Sequence, residues 1–476
     1  MMTPRRTLLR GGHILSMDPE VGELPAGDIL IEDDTIAAVG VDLGVADTAA
    51  EIVDVDGAIV IPGLVDTHRH TWQTPLRGVC ADFTLLDYFR VIRVAYSQVY
   101  RPEDVRTGNY VGALEALDAG VTTILDYSHC MNSPDHADAS VAGLQEARIR
   151  ALHCYGFYHV PLQKPVFVKH EQRLADACRI REKYFTSDDQ LLTMGLAGSE
   201  VHRIPFSATE TEVRLANELG VPITFHSACY WGMKLTHCVS ELHSVGLLGQ
   251  GQIHSHANAC TDAELALLAR HGSFVSCTPE TEMGMSMGSP IIGRALDAGL
   301  RPTLGCDIVS LNSGDLFTQM RLAISSQRAL AHDVETTKTM GVTNAVRAED
   351  VLRFATQDGA TSLGLGSRIG SLTPGKQADV VVLRSSGLSL TPVNAPVAGA
   401  VVFQAGARDV EHVLVAGSFV KRDGSLLADI ASARRDIQAT RDHLADHAAD
   451  AVREALADSE EYRSRLEELS AANAQS

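Results

Sequence analysis

Between residues 60 and 365, eight short apolar runs alternate with helical stretches, and that alternation leaves few architectures open. The runs are Ile59 to Val65, Thr122 to Leu125, Ala151 to Tyr155, Leu192 to Leu196, Pro222 to Phe225, Gly251 to Ile253, Ser273 to Ser276 and Pro302 to Gly305. Helical segments such as Asp104 to Asp118, Ser140 to Ala147, Glu210 to Leu219 and Asp262 to Arg270 lie between them. Parallel strands bury both faces under a layer of helices, so eight such units predict an α/β fold, a (β/α)8 TIM barrel. A doubly wound sheet would want a glycine-rich phosphate turn after its first strand, and none is there.

The two chain ends read differently. Thr7 to Arg10, Gly12 to Met17 and Gly27 to Ile31 are strand-like, with turn signals at Gly11-Gly12 and Asp33-Asp34. Strand-like runs return at Ala378 to Leu383, Val401 to Phe403 and Val413 to Gly417. The expected organisation is a small composite β-sandwich from residues 1–60 plus 366–427, a barrel over 61–365, and a charged helical tail over 428–476.

The chain has 476 residues, with 40 Lys+Arg against 60 Asp+Glu, a formal net charge of −20. Nucleic acid and anionic membranes both need basic surface, so neither is an expected partner. No run of about 18 apolar residues is present to cross a membrane. Behind Arg5-Arg6 only Leu8-Leu9 is apolar, too short a stretch for a signal peptide. The nine cysteines are scattered without a Cys-x-x-Cys pair, which predicts reduced thiols and a cytoplasmic location.

Chemistry on a TIM barrel belongs to the C-terminal ends of the strands. Here those ends read Asp66-Thr67-His68-Arg69-His70, Asp126-Tyr127-Ser128-His129, Ser199-Glu200-Val201-His202, His226, His254-Ser255-His256, Thr278-Pro279-Glu280-Thr281-Glu282 and Asp307. Imidazoles and carboxylates thus converge on one rim, which is what a metal site requires. A His-x-His pair alone carries little weight, since 19 histidines in 476 residues give on the order of one by chance. On a strand, however, His68 and His70 point to the same face and can share one ion.

The stretch Pro62-Gly63-Leu64-Val65-Asp66-Thr67-His68-Arg69-His70 resembles the opening motif of the amidohydrolase superfamily, and Gly370 to Val380 resembles its C-terminal signature. The resemblance spans about residues 5–425. Gln73, Arg77-Gly78, and His256 followed by Thr261-Asp262-Ala263-Glu264 are similar to the branch of cytosine deaminases, guanine-type deaminases and triazine hydrolases. The resemblance implies His68, His70, His226 and Asp307 as ligands of one divalent ion per subunit, zinc first, with iron or manganese as alternatives. It implies Asp307 as general base, and His256 as the group that bonds the attacking water or the substrate oxygen. Strand four carries no lysine to bridge a second ion. Relatives of this kind are often oligomers, so a homo-oligomer is expected.

One position departs from the pattern. Deaminases of this branch carry a glutamate three residues after the strand-five histidine, and here that residue is Cys229. Glu280 or Glu282 is the candidate for the missing carboxylate, since a general acid need only come within hydrogen-bond reach. Trp72, Gln73, His129, His202, Cys229, Ser310 and Asn312 are the candidate substrate contacts, and a flat ring with an amide suits a planar heterocycle. Met283, Met285 and Met287 read as ordinary packing rather than a lid. The expected function is hydrolysis of a non-peptide C–N bond, most simply deamination of a small nitrogen heterocycle. The alternatives are amide, urea, carbamate or C–halogen cleavage on the same site, and a metal-binding homologue without catalysis.

Overall fold

The computed structural model of the protein describes residues 5–45, 50–200, 204–229, 237–334 and 346–474. Eight parallel strands pair in sequence order: Leu64–Arg69, Val121–Ser128, Arg150–Gly156, Leu192–Ala197, Ile223–Ser227, Ile253–His256, Phe274–Cys277 and Thr303–Leu304. They are numbered one to eight below. Nearly every residue in them is buried, as expected for strands covered on both faces. The seam closes between strand one and the end of strand eight, where Arg69 and Asp307 bridge in parallel. Asp307 N–H donates to His68 O at 2.7 Å, and His70 N–H donates to Asp307 O at 2.8 Å.

The apolar run Ile59 to Val65 is not one barrel strand. It splits at Gly63: Ile59–Pro62 pairs antiparallel with Val380–Leu383 in a second sheet, and Leu64 starts the barrel. Gly63 fits there because a Cβ would come within 2.1 Å of Thr122 Oγ1. The run looks continuous because both sheets bury it.

The second sheet draws on both chain ends, with nine strands among the described residues. It wraps an apolar core that includes Ile14, Ile29, Ile36, Val60, Val380 and Leu414. Arg6–Leu15 is one strand rather than two, with register shifts on either side of Gly12. Val401 to Phe403, read as strand-like, belongs to the helix Val397–Phe403. The sheet is tied to the barrel by a buried ion pair, Arg150 to Asp379, with two bonds of 2.9 and 3.1 Å.

The tail is one long helix, Ile430–Ala474. Its Leu444, Val452, Ala455 and Leu456 join a cluster with Trp72, Leu76, Tyr88 and Ile92 from the segment after strand one. Arg463 bonds Asp87 at 2.9 and 3.0 Å, and Arg90 bonds Ser459 Oγ at 3.1 Å. The helix therefore backs a wall of the barrel mouth. No helix among the described residues is long and apolar enough to cross a membrane.

Candidate metal centre and active site

Strand one delivers His68 and His70 because its end is pinned on both sides. Asp66 accepts from His68 N (3.2 Å), Cys306 N (3.1 Å) and Arg69 Nε (2.8 Å), joining strand one to strand eight. Asp126, at the end of strand two, accepts from Thr71 N (3.2 Å). His68 Nδ1 pairs with Ser255 Oγ at 2.8 Å, and His70 Nδ1 pairs with Tyr127 O at 2.9 Å. These partners leave each Nε2 facing the barrel axis, the orientation in which a histidine can ligate.

His68 Nε2 lies 3.3 Å from Asp307 Oδ1, and His70 Nε2 lies 3.2 Å from the same oxygen. His226 Nε2 lies 3.2 Å from His70 Nε2. A tetrahedral zinc with bonds of 2.0–2.1 Å would separate its ligand atoms by roughly 3.3 Å. The side chains also fit the ion chemically: His68 Nε2 is buried without a hydrogen-bond partner. Burial pushes His68 down to about 3, so its imidazole is neutral. Burial opposes the charge on Asp307 too, but His68 and His70 outweigh it and hold the carboxyl well below its usual range. Imidazole nitrogens around a carboxylate are the donor set of a divalent cation.

Asp307 (φ 60°), His256 (φ 70°), Ala257 (φ 55°) and Ala228 (φ 44°) all take left-handed backbone. Such strain collects at functional sites, where it aims a side chain. His256 comes close to His68 and Asp307. Its Nδ1 pairs with Thr278 Oγ1 at 2.9 Å and lies 3.7 Å from Glu282 Oε1. Burial would lower the His256 pKa, but Glu282 and Asp307 outweigh it and raise it.

The two strand-seven carboxylates therefore differ in place. Glu282 is fully buried behind His256 and accepts from Thr278 N at 2.7 Å, so it orients His256. Glu280 accepts from Ser313 N, Ser313 Oγ and Gln319 Nε2. It braces the loop after Asp307 through Ser313. The chain turns into a short helix at Pro279, and the two side chains diverge.

Of the candidate substrate contacts, Gln73 and Ser310 are joined at 3.0 Å, and Gln73 also donates to Tyr88 OH at 2.7 Å. Trp72 is fully buried and packs against Tyr100 and His129. His129 stacks on His70 with ring centres 4.2 Å apart, and both its nitrogens are unpartnered. Cys229 is half-buried beside the Trp72 cluster. Asn312 donates to Thr281 Oγ1 and Cys306 O, which makes it a brace of the same loop as Glu280. His202 lies outside the described residues. Met285 and Met287 are buried in the Trp72 cluster, and Met283 is exposed.

Sequence reading passed over two residues. Arg93 rises from the helical segment Phe89–Tyr96, is fully buried, and has Tyr158 stacked 3.8 Å from its guanidinium carbon. Its Nη2 lies 2.9 Å from Glu200 Oε1, at the end of strand four. That same oxygen lies 3.6 Å from His226 Nδ1. Glu200, His129 and His226 form a second tight cluster beside the first.

Residues 59–420 match the amidohydrolase family, and the chain belongs to it. It is a metal-dependent hydrolase of C–N bonds other than peptide bonds. A 5'-deoxyadenosine deaminase of Methanothermobacter thermautotrophicus is 30% identical over 438 residues, covering 87% of this chain and 94% of that protein. A 5-methylthioadenosine/S-adenosylhomocysteine deaminase of Syntrophobacter fumaroxidans is 29% identical, covering 88% and 94%. A zinc-bound adenosine deaminase from Xanthomonas campestris superposes with a TM-score of 0.81 at 25% identity, over 93% of this chain and 99% of that one.

Proposed function

We propose that the protein is a deaminase of an amino-substituted nitrogen heterocycle. The observation that carries the proposal is the set of ligand atoms of His68, His70, His226 and Asp307, which face one another beside His256. Similarity to chains named as deaminases selects ammonia as the leaving group. His68, His70, His226 and Asp307 would hold one divalent ion, zinc before iron or manganese. When bound, the ion would supply Lewis-acid chemistry, lowering the pKa of water toward about 7 and polarising the electrophilic carbon.

The chain's own residues handle the protons and the charge. Asp307, ionised in the buried site, accepts the proton of the attacking water as oxygen bonds to the ring carbon. His256, fixed by Thr278 and Glu282, donates a hydrogen bond to the oxygen as negative charge develops on it. Asp307 returns its proton to the exocyclic nitrogen, the C–N bond breaks, and ammonia leaves. Trp72 and its apolar cluster exclude bulk water from one side of the ring.

Location and assembly belong to the same proposal. All nine cysteines are free thiols, which supports a reducing, cytoplasmic compartment. The long charged helix Ile430–Ala474 supports a homo-oligomer, to be tested by light scattering. The decisive experiment is ammonia release from amino-purines, amino-pyrimidines and aminotriazines by zinc-loaded protein. Ammonia with the matching oxo product supports deamination; release of a larger amine or of halide instead overturns it.

A further inference from the structure

We infer that Glu200 and Arg93 form the substrate-reading clamp of this site, and that they select a heterocycle with a ring N–H beside a carbonyl. The inference rests on the deaminase reading and names its substrate class. Cys229 leaves no carboxylate three residues after His226, yet a carboxylate still stands against that histidine, because Glu200 reaches it from strand four. Ser199, just before it, is anchored through its N–H (2.9 Å) and its hydroxyl (2.6 Å) to the buried Glu212. The backbone that carries Glu200 is thereby fixed where strand four ends.

The cluster is built and has bonds to spare. Arg93 is buried against Tyr158, and its Nη2 forms an ion pair with Glu200 Oε1 at 2.9 Å. Arg93 Nε and both nitrogens of His129 are buried without a partner, and His226 Nδ1 has only the Glu200 carboxylate 3.6 Å away. Unpaired buried polar groups are costly, so such a set marks where a polar ligand docks. A second cation does not explain it, since the Arg93 guanidinium already supplies the positive charge beside Glu200.

The pair offers one acceptor and one donor side by side. A carboxylate held against a guanidinium accepts from N–H, and the guanidinium only donates. The complementary edge is a lactam, with ring N–H beside C=O, as in guanine or isocytosine. The corresponding edge of an adenine ring presents a bare acceptor nitrogen, which meets the carboxylate with repulsion. Rejection of a ligand that leaves buried polar groups unpaired is strong.

The test pairs binding with turnover on the zinc-loaded full chain. Calorimetry compares isocytosine with 2-aminopyrimidine, which lacks the lactam. We expect isocytosine to bind at least 10-fold tighter, and Glu200→Gln to lose about 10- to 100-fold of that affinity while keeping its zinc. Equal binding of the two ligands by the wild type overturns the clamp without requiring any variant to fold. Loss of zinc from Glu200→Gln with selectivity unchanged overturns it too, and makes Glu200 a brace for His226. Lactam-selective binding without ammonia release would fail the deaminase reading and leave the clamp standing. Faster ammonia release from adenosine than from guanosine would do the reverse.

Discussion

Asp307 meets His68 twice: its backbone N–H donates to His68 O at 2.7 Å, and its carboxylate oxygen lies 3.3 Å from His68 Nε2. The residue that closes the barrel is thus the one that closes the candidate metal site. Its left-handed backbone lets one residue do both. Asn tolerates that conformation and keeps the backbone bridge. Asp307→Asn should therefore keep its circular dichroism and lose about 10²- to 10⁴-fold in kcat. Near-normal turnover would remove Asp307 from the chemistry.

Gly305 packs against the same residue. A Cβ added there would lie 2.7 Å from His68 O and 2.8 Å from His68 N. Strand eight would have to move off strand one at the ligands. Gly305→Ala should lower stability by about 1–3 kcal/mol in urea unfolding and reduce bound metal. A variant with unchanged midpoint and full metal would contradict the seam geometry.

Glu212 gives a pH signature away from the metal ligands. Burial raises its carboxyl from 4.5 to about 8, against the opposing bonds from Ser199. The folded state then holds a proton that the unfolded state releases, so this contribution to stability falls as pH rises from about 4.5 through about 8. The upper limit is roughly 5 kcal/mol over that window. Glu212→Gln should flatten the wild-type decline between pH 5 and 9. Parallel stability curves for the two proteins would show that Glu212 is ionised in the fold.

Leu444 is fully buried between the C-terminal helix and the segment that carries Tyr88 and Arg93. Leu444→Ala should cost about 2–5 kcal/mol. Because that segment forms the pocket wall, KM should rise more than kcat falls. A loss of stability with KM unchanged would separate the helix from the site.

The barrel was legible because buried parallel strands write themselves as apolar runs, and each candidate ligand lies within a few residues of the end of one. The split at Gly63 was not, since a run buried by two sheets looks like a run buried by one. Glu282 was legible as a site residue but not in its place, because the turn at Pro279 sends it behind His256. Arg93 was invisible. It lies between strand one and the helix Pro102–Asp118, in a segment whose position is set by Ile430–Ala474, hundreds of residues away. Glu200 stood in plain view at a strand end, but only its pairing with Arg93 and His226 gives it a role.

The central claim is one divalent ion held by His68, His70, His226 and Asp307. Elemental analysis of the purified protein, stripped with chelator and then reloaded, tests it directly. The account predicts about one zinc, iron or manganese per chain, falling to near zero in His70→Ala. Two ions per chain, or none taken up on reloading, would contradict it.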